Sequence, residues 1–143
     1  MIHLQPWGSA RHAANVAFLA TIYVKRSVDK AENRAFAQAQ VNYLKGGNSR
    51  SQSFIVGWDD SSPTRPHHAA ASCPIDGSTC GWDDYNSSGP NPLILYGALV
   101  GGPDASDNYN DDRSDYIHNE QTIDYNAGWQ GALAGLQFDL NNS

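Results

Sequence analysis

The sequence predicts an all-α fold carrying long ordered loops, on three observations. Three stretches have helical apolar periodicity with recognisable start or stop signals. The residues between the second and third stretches show little periodicity and are rich in Gly, Pro, Asn, Asp and Ser. That intervening segment nevertheless holds Trp58, Trp82, Tyr85, Tyr96 and Tyr109, which argues against disorder. Ordered loops of that size need a broad base. Three helices are a thin one, so the chain reads as one side of a larger helical protein.

The first helix is expected from about Ser9 to Lys25, with Ser9 as cap and Ala13, Ala14, Ala17, Phe18 and Val24 as its apolar face. So many alanines imply close packing on another helix. The second runs from about Asp29 to Lys45, with Ala37, Val41 and Leu44 one helical turn apart and Gly46-Gly47 as a stop. The third is expected from about Asn119 to Leu136, facing its neighbours with Ile123, Ala127, Leu133 and Ala134. Gly128, Gly131 and Gly135 lower its propensity and again imply tight helix contact. Between them, residues 53–56 read as a short strand and residues 93–100 as a short buried run.

Length and charge narrow the function. The 143 residues suit one domain, with no second. Nine basic against fifteen acidic residues give a net charge of -6, which disfavours nucleic-acid or anionic-membrane partners. Residues 1–50 are net positive, and the acid is concentrated in residues 51–115, where all of it is Asp. No run approaches the ~18 apolar residues of a membrane span. Residues 1–30 lack the pattern of a signal peptide. Aromatics among many Asp and Asn suit a sugar-binding cleft, where rings stack on pyranose faces and polar groups bind hydroxyls.

Two segments carry candidate chemistry. Residues 109–120 pack Asp111, Asp112, Asp115 and Glu120 around Arg113, which could pair with one of the aspartates. Three readings stand there: a solvated acidic turn, a calcium loop using Asp104, Asp107, Asn110 and Asp112, or carboxyl groups for acid–base work. The calcium reading lacks EF-hand spacing. Glu120 is one of only two glutamates and is expected at a loop-to-helix junction. The second segment, Pro63-Thr64-Arg65-Pro66-His67-His68, holds two imidazoles on a stiff turn. They suit polar ligand contacts, or a zinc site with Cys73 and Cys80, although the spacing fits no standard finger. The two cysteines either form a short-loop disulfide or stand as separate thiols.

Taken together, WGSARHAANVAFLA (7–20), FAQAQVNYLKG (36–46), SFIVGWDDSSPTRPHH (53–68), SCPIDGSTCGW (72–82), GALVGGPDASDNYNDDRSDYIHNE (97–120) and DYNAGWQGALAGL (124–136) resemble the C-terminal part of glycoside hydrolase family 9 endoglucanases, especially the animal, termite-type cellulases. The family's second signature is met by Tyr109, Asp111, Tyr116, Glu120, Thr122, Asn126 and Ala127. Its first ends Pro-His-x-Arg, and Ala69 stands here where Arg is expected.

The resemblance implies that residues 1–143 are the C-terminal part of a catalytic domain, about the last quarter to third of an (α/α)₆ barrel. It implies endo-hydrolysis of β-1,4-glucan (cellulose and cello-oligosaccharides) with inversion, in a secreted protein. By matching position Glu120 is the general acid, Asp111 the paired acidic residue, His67 a catalytic-subsite sugar contact, and Tyr125 a further contact. Glu120 at a helix start would have its charged form favoured by the macrodipole, which the nearby aspartates and burial must outweigh. The family's general-base Asp belongs to an Asp-Ala-Gly-Asp motif that does not occur in this sequence. The isolated chain is therefore expected to be inactive. The chemistry is expected to need no cofactor, with structural calcium depending mainly on the rest of the family's domain. Two rival readings are a non-catalytic carbohydrate-binding remnant and a calcium-stabilised structural module.

Overall fold

A computed structural model describes residues 1–26 and 29–141, the side chains of the last three excepted. Its helices are α1 (Ser9–Arg26), α2 (Lys30–Leu44), α3 (Ala69–Ser72), α4 (Trp82–Asn86), α5 (Tyr116–Asn119) and α6 (Ile123–Asn141). The three long helices form one layer, with α1 packed on both α2 and α6. The short ones are single turns within the loops. None of the described helices is long and apolar enough to cross a membrane.

Alanine explains why α1 can be central. Ala10, Ala13, Ala14, Ala17 and Ala20 are buried along it, and their methyl groups keep neighbouring axes close. The bulkier Leu19, Ile22 and Tyr23 are left exposed. On α2 the expected Ala37, Val41 and Leu44 are buried, and Lys45 and Gly46 end the helix by donating to carbonyls of its last turn. Lys25 and Arg26 occupy the last turn of α1, where the helix dipole favours positive charge.

The third helix departs from expectation in two ways. It does not start at Asn119: α5 ends there, Glu120 is extended (φ -64°, ψ 142°), and α6 begins at Ile123. Thr122 opens α6, its hydroxyl accepting from the Tyr125 amide at 3.4 Å. The packed face is also not the expected one. Tyr125, Gly128, Trp129, Ala132 and Leu136 face inward, whereas Ile123, Ala127, Leu133 and Ala134 face out, Ile123 being 92% exposed. Periodicity could not distinguish two faces that are both apolar. The glycines decide it, because a Cβ on Gly128 or Gly135 would collide with Asn15 or Thr21 of α1, and one on Gly131 would sit 2.7 Å from the Phe18 ring.

Above this layer the loops fold on a small aromatic and aliphatic core. Phe54 packs between Tyr43 and Tyr109, with ring centroids 6.1 and 5.2 Å away. The expected strand shrinks to one antiparallel bridge between Ile55 and Leu99, flanked by Val56 N–H to Ala98 (2.9 Å) and Val100 N–H to Phe54 (3.0 Å). No longer strand occurs among the described residues. The run at 93–100 is buried only at its end: Leu99 and Val100 are covered, while Leu93, Ile94 and Tyr96 are exposed.

Gly135→Ala tests the helix contact. Alanine raises intrinsic helix propensity by about 1 kcal/mol, but overpacking against Thr21 costs about 1–3 kcal/mol. The expected net effect is a lower denaturant midpoint. A raised midpoint would show that α1 and α6 stand further apart in solution.

Candidate functional site

The site is built from two loops tied together by side chains. Asp111 accepts from the Thr64 amide (2.8 Å), the Thr64 hydroxyl (2.8 Å) and the Arg65 amide (3.0 Å). The Arg65 guanidinium returns a bond to the Asp111 carbonyl. The carboxylate is therefore committed to the stiff turn that carries His67. Arg113 pairs with no aspartate among the described residues, although its place in the acidic segment left that open. It is 3% exposed, and its guanidinium donates to Asn91 Oδ1 (2.6 Å) and to the carbonyls of Tyr85 (2.7 Å), Ser87 (2.7 Å) and Gly89 (2.9 Å). A buried cation surrounded by carbonyl oxygens braces a loop that has no sheet to rest on.

These braces bring His67 beside Glu120. The His67 amide donates to the Asn119 carbonyl at 2.8 Å, and His67 and Glu120 pair as a parallel bridge. Asn119 is fully buried, accepting from the Tyr109 hydroxyl and donating to the Asn110 carbonyl at 2.8 Å. The His67 Nδ1 lies 2.7 Å from the Arg113 carbonyl. A carbonyl only accepts, so Nδ1 carries the hydrogen and Nε2 is the nitrogen left for another partner.

Glu120 has two donors on one oxygen. Its Oε2 accepts from the Trp7 indole N–H at 2.9 Å and from the Tyr125 hydroxyl at 3.3 Å. Tyr125 is 1% exposed, so its hydroxyl meets Glu120 rather than an open surface. Gly8 permits this: with φ at +66°, a Cβ there would sit 2.6 Å from the Tyr125 oxygen. Arg11 covers the Tyr125 ring at 4.9 Å and pairs with Asp124 at 3.2 Å. The extended backbone of Glu120 also removes it from the helix start where a macrodipole effect was expected.

The remaining candidates divide. His68 turns away from His67 and caps α3, its Nδ1 accepting from the Ala71 amide at 3.0 Å. Cys73 and Cys80 form a disulfide, with Cα atoms 5.2 Å apart. Together these overturn the zinc reading. The calcium reading fits poorly as well. Asp104 accepts from Ser106 and Asn108, Asp107 from Tyr43 and Ser49, and Asp112 from Ser114. Among the described residues no three His, Cys, Asp or Glu side chains converge to hold a metal. Asp115 likewise turns locally, to His118 Nδ1 at 2.7 Å.

Sequence reasoning missed the ring row beside Glu120. Trp7 contacts Tyr116 (5.1 Å), Tyr116 contacts His67 (6.0 Å), His67 contacts Tyr85 (6.0 Å), and Tyr85 contacts Trp82 (5.7 Å). The abundance of aromatics in the loops was visible. Their alignment was not, because Trp7 and Glu120 lie at opposite ends of the chain. The row offers apolar faces to a ligand, and Glu120 offers an oxygen, Oε1, with which to give or take a proton.

Comparison with known proteins places this arrangement. The sequence model of the glycosyl hydrolase family 9 matches residues 1–133. An endoglucanase of Dictyostelium discoideum is 47% identical over 133 residues, covering 93% of this chain and 17% of that protein. Endoglucanase A of Bacillus pumilus is 44% identical, covering 93% and 20%. The solved structure of an endoglucanase from the termite Nasutitermes takasagoensis superposes with a TM-score of 0.90 at 49% identity, over 95% of this chain and 31% of that one. Clostridium thermocellum CelQ, solved with cellobiose and cellotriose, gives 0.82 at 40% identity, over 94% and 22%. The chain thus spans about a fifth of the curated relatives and under a third of the termite structure. Its helices and loops are one part of an (α/α)₆ barrel.

The Tyr125–Glu120 contact is measurable by titration. Burial first, and then the Glu120 charge, push the Tyr125 phenol up to about 12. The folded protein thus holds a proton that the unfolded chain releases near pH ~10. The stability gained is complete below that pH and is lost as pH rises through the folded value. Glu120→Gln should move this step down only part-way, since burial is the larger cause. An ultraviolet difference titration in which the step does not move would mean that hydroxyl and carboxylate do not meet.

Proposed function

The chain belongs to glycosyl hydrolase family 9, and from that premise we propose that it supplies the acid half of an endo-β-1,4-glucanase active centre. The observation that carries this is the pair of hydrogen bonds donated into one oxygen of Glu120. With Trp7 and Tyr125 both donating into Oε2, a proton on Glu120 belongs on Oε1. Glu120 then gives that proton to the leaving glycosidic oxygen. Trp7 and Tyr125 act through Glu120, fixing which oxygen faces the substrate. His67 keeps Nε2 for a sugar hydroxyl, while Asp111 holds the turn that carries it.

Inversion also needs a carboxylate that activates water, ~6.5–9.5 Å from the acid. Asp111 is engaged by donors of the Thr64–Arg65 turn, and Asp112 and Asp115 by donors of their own loop, which supports assigning that base to a residue outside these 143. Carboxyl groups alone carry this chemistry, and it asks for no cofactor. Any structural calcium would take its ligands mainly from elsewhere in the domain. The substrate is a β-1,4-glucan, a reading supported by the cello-oligosaccharide complexes of the similar CelQ structure. The Cys73–Cys80 bond supports secretion, since such bonds persist in oxidising surroundings.

Two measurements test the reading. In a family 9 domain carrying this segment, Glu120→Gln should lower turnover on cellulosic substrates ~10²–10⁴-fold. An aryl cellobioside whose leaving group needs no proton should lose far less, and equal loss on both would remove Glu120 from the acid role. The 143 residues alone should release no reducing sugar from carboxymethylcellulose. Turnover there would place the base within the chain, while glucan binding without turnover in the whole domain would favour the carbohydrate-binding reading.

A further inference from the structure

Beyond His67 the ring row ends in a pocket that the acid–base reading does not use. It occupies about 360 Å³ between α3 and α4 and is walled by Ala69, Ser72, Cys80, Gly81, Trp82 and Tyr85. Trp82 is 77% exposed. Among the exposed rings it is the one that walls this pocket, next to Tyr85 of the ring row.

The indole is held in place from both ends of α4. The Cys73–Cys80 bond closes the loop immediately before Trp82. Asp84 reaches back to the Gly81 amide at 2.8 Å and fixes the start of α4. Arg113 clamps the other end through the carbonyls of Tyr85 and Ser87, both at 2.7 Å. The Tyr85 ring meets Trp82 edge-on, at 87°. An edge contact steadies the indole without covering both its faces. On the α3 side, Ala69 contributes only a methyl group, which leaves the pocket open.

We propose that Trp82 is the platform of a further sugar subsite, in which one pyranose ring lies on the indole beside Ala69. The proposal rests on the glucan cleft assigned above and extends it. Trp82 touches Tyr85, Tyr85 touches His67, and His67 pairs with Glu120, so the platform is continuous with the acid. The axial C–H groups of a pyranose match an aromatic face, as they would on any exposed indole. The same ring chemistry could come from the next glucosyl unit of the main chain or from a pendant sugar on a branched glucan.

Calorimetric titration of a family 9 domain carrying this segment, with Glu120→Gln to stop turnover, separates these. The probes are cellobiose, cellotetraose, cellohexaose and a xyloglucan heptasaccharide. Trp82→Ala should weaken binding of one or more of the three larger probes about tenfold, the loss of one stacking contact, and leave cellobiose unchanged. Trp82→Phe should keep most of the affinity. Ala69→Leu, which fills the pocket, should reproduce the Trp82→Ala loss. Loss on cellohexaose identifies a main-chain subsite, and loss confined to the heptasaccharide identifies a pendant-sugar subsite. Unchanged affinity of Trp82→Ala for every probe overturns the platform. If Trp7→Ala then still loses affinity, the cleft stands without the platform. If that domain without further substitution binds no probe, the cleft and the platform both fall.

Discussion

The close approach of α6 to α1 is the contact on which the site depends. Gly128, Gly131 and Gly135 present bare backbone to Asn15, Phe18 and Thr21. This sets the two helices at a separation that side chains would forbid. At their N-terminal ends the same approach brings Tyr125 against Gly8 and places Trp7 on Glu120. The 2.9 Å hydrogen bond between Trp7 and Glu120, 113 positions apart in sequence, is sensitive to small shifts of either helix. A packing constraint thus becomes a catalytic one, because it decides which oxygen of Glu120 is held.

A second constraint holds the loops. With two isolated bridges among the described residues in place of a sheet, the segment from Gly46 to Tyr116 has few backbone ladders to order it. Buried polar groups take over. Asp111 gathers donors from Thr64 and Arg65, Arg113 gathers four acceptors from Asn91 and the 85–89 carbonyls, and Asn119 joins Tyr109 to Asn110. A buried guanidinium is costly when unpaired and effective when fully paired. Each such group ties segments 9 to 47 residues apart. Asp111 and Arg113 therefore hold the loops in shape, whereas Glu120 takes both of its donors on Oε2 and keeps Oε1 for other work.

The aromatic residues divide along the same line. Phe54, Tyr43 and Tyr109 form the base of the loops, where Tyr109 burial pushes its phenol well above the ordinary range. Trp7, Tyr116 and Trp82 remain exposed in a row along the top. Rings below order the loops, and rings above offer faces to a ligand. For a polymeric sugar that is a coherent division, since stacking tolerates sliding while the hydrogen bonds at Glu120 fix one bond for cleavage.

Local information in the sequence determined the helical class, the extents of α1 and α2, and the need for tight packing, because alanine spacing and glycine stops act within a few residues. The expected Ser9 cap does not form, since its hydroxyl donates to the Gly101 and Pro103 carbonyls. It also determined the family, since Tyr109, Asp111, Tyr116 and Glu120 lie within twelve positions of one another. The alternatives for Cys73 and Cys80, the divergence of His67 from His68, and the partners of Arg113 were decided only when the loops closed. So was the face of α6: both its sides are apolar, and only the fit of bare glycine backbone against Asn15 and Thr21 chooses between them. The donors on Glu120 belong to the same class. Trp7 is 113 positions away, and no periodicity within the chain reports a contact that exists because two helices can touch.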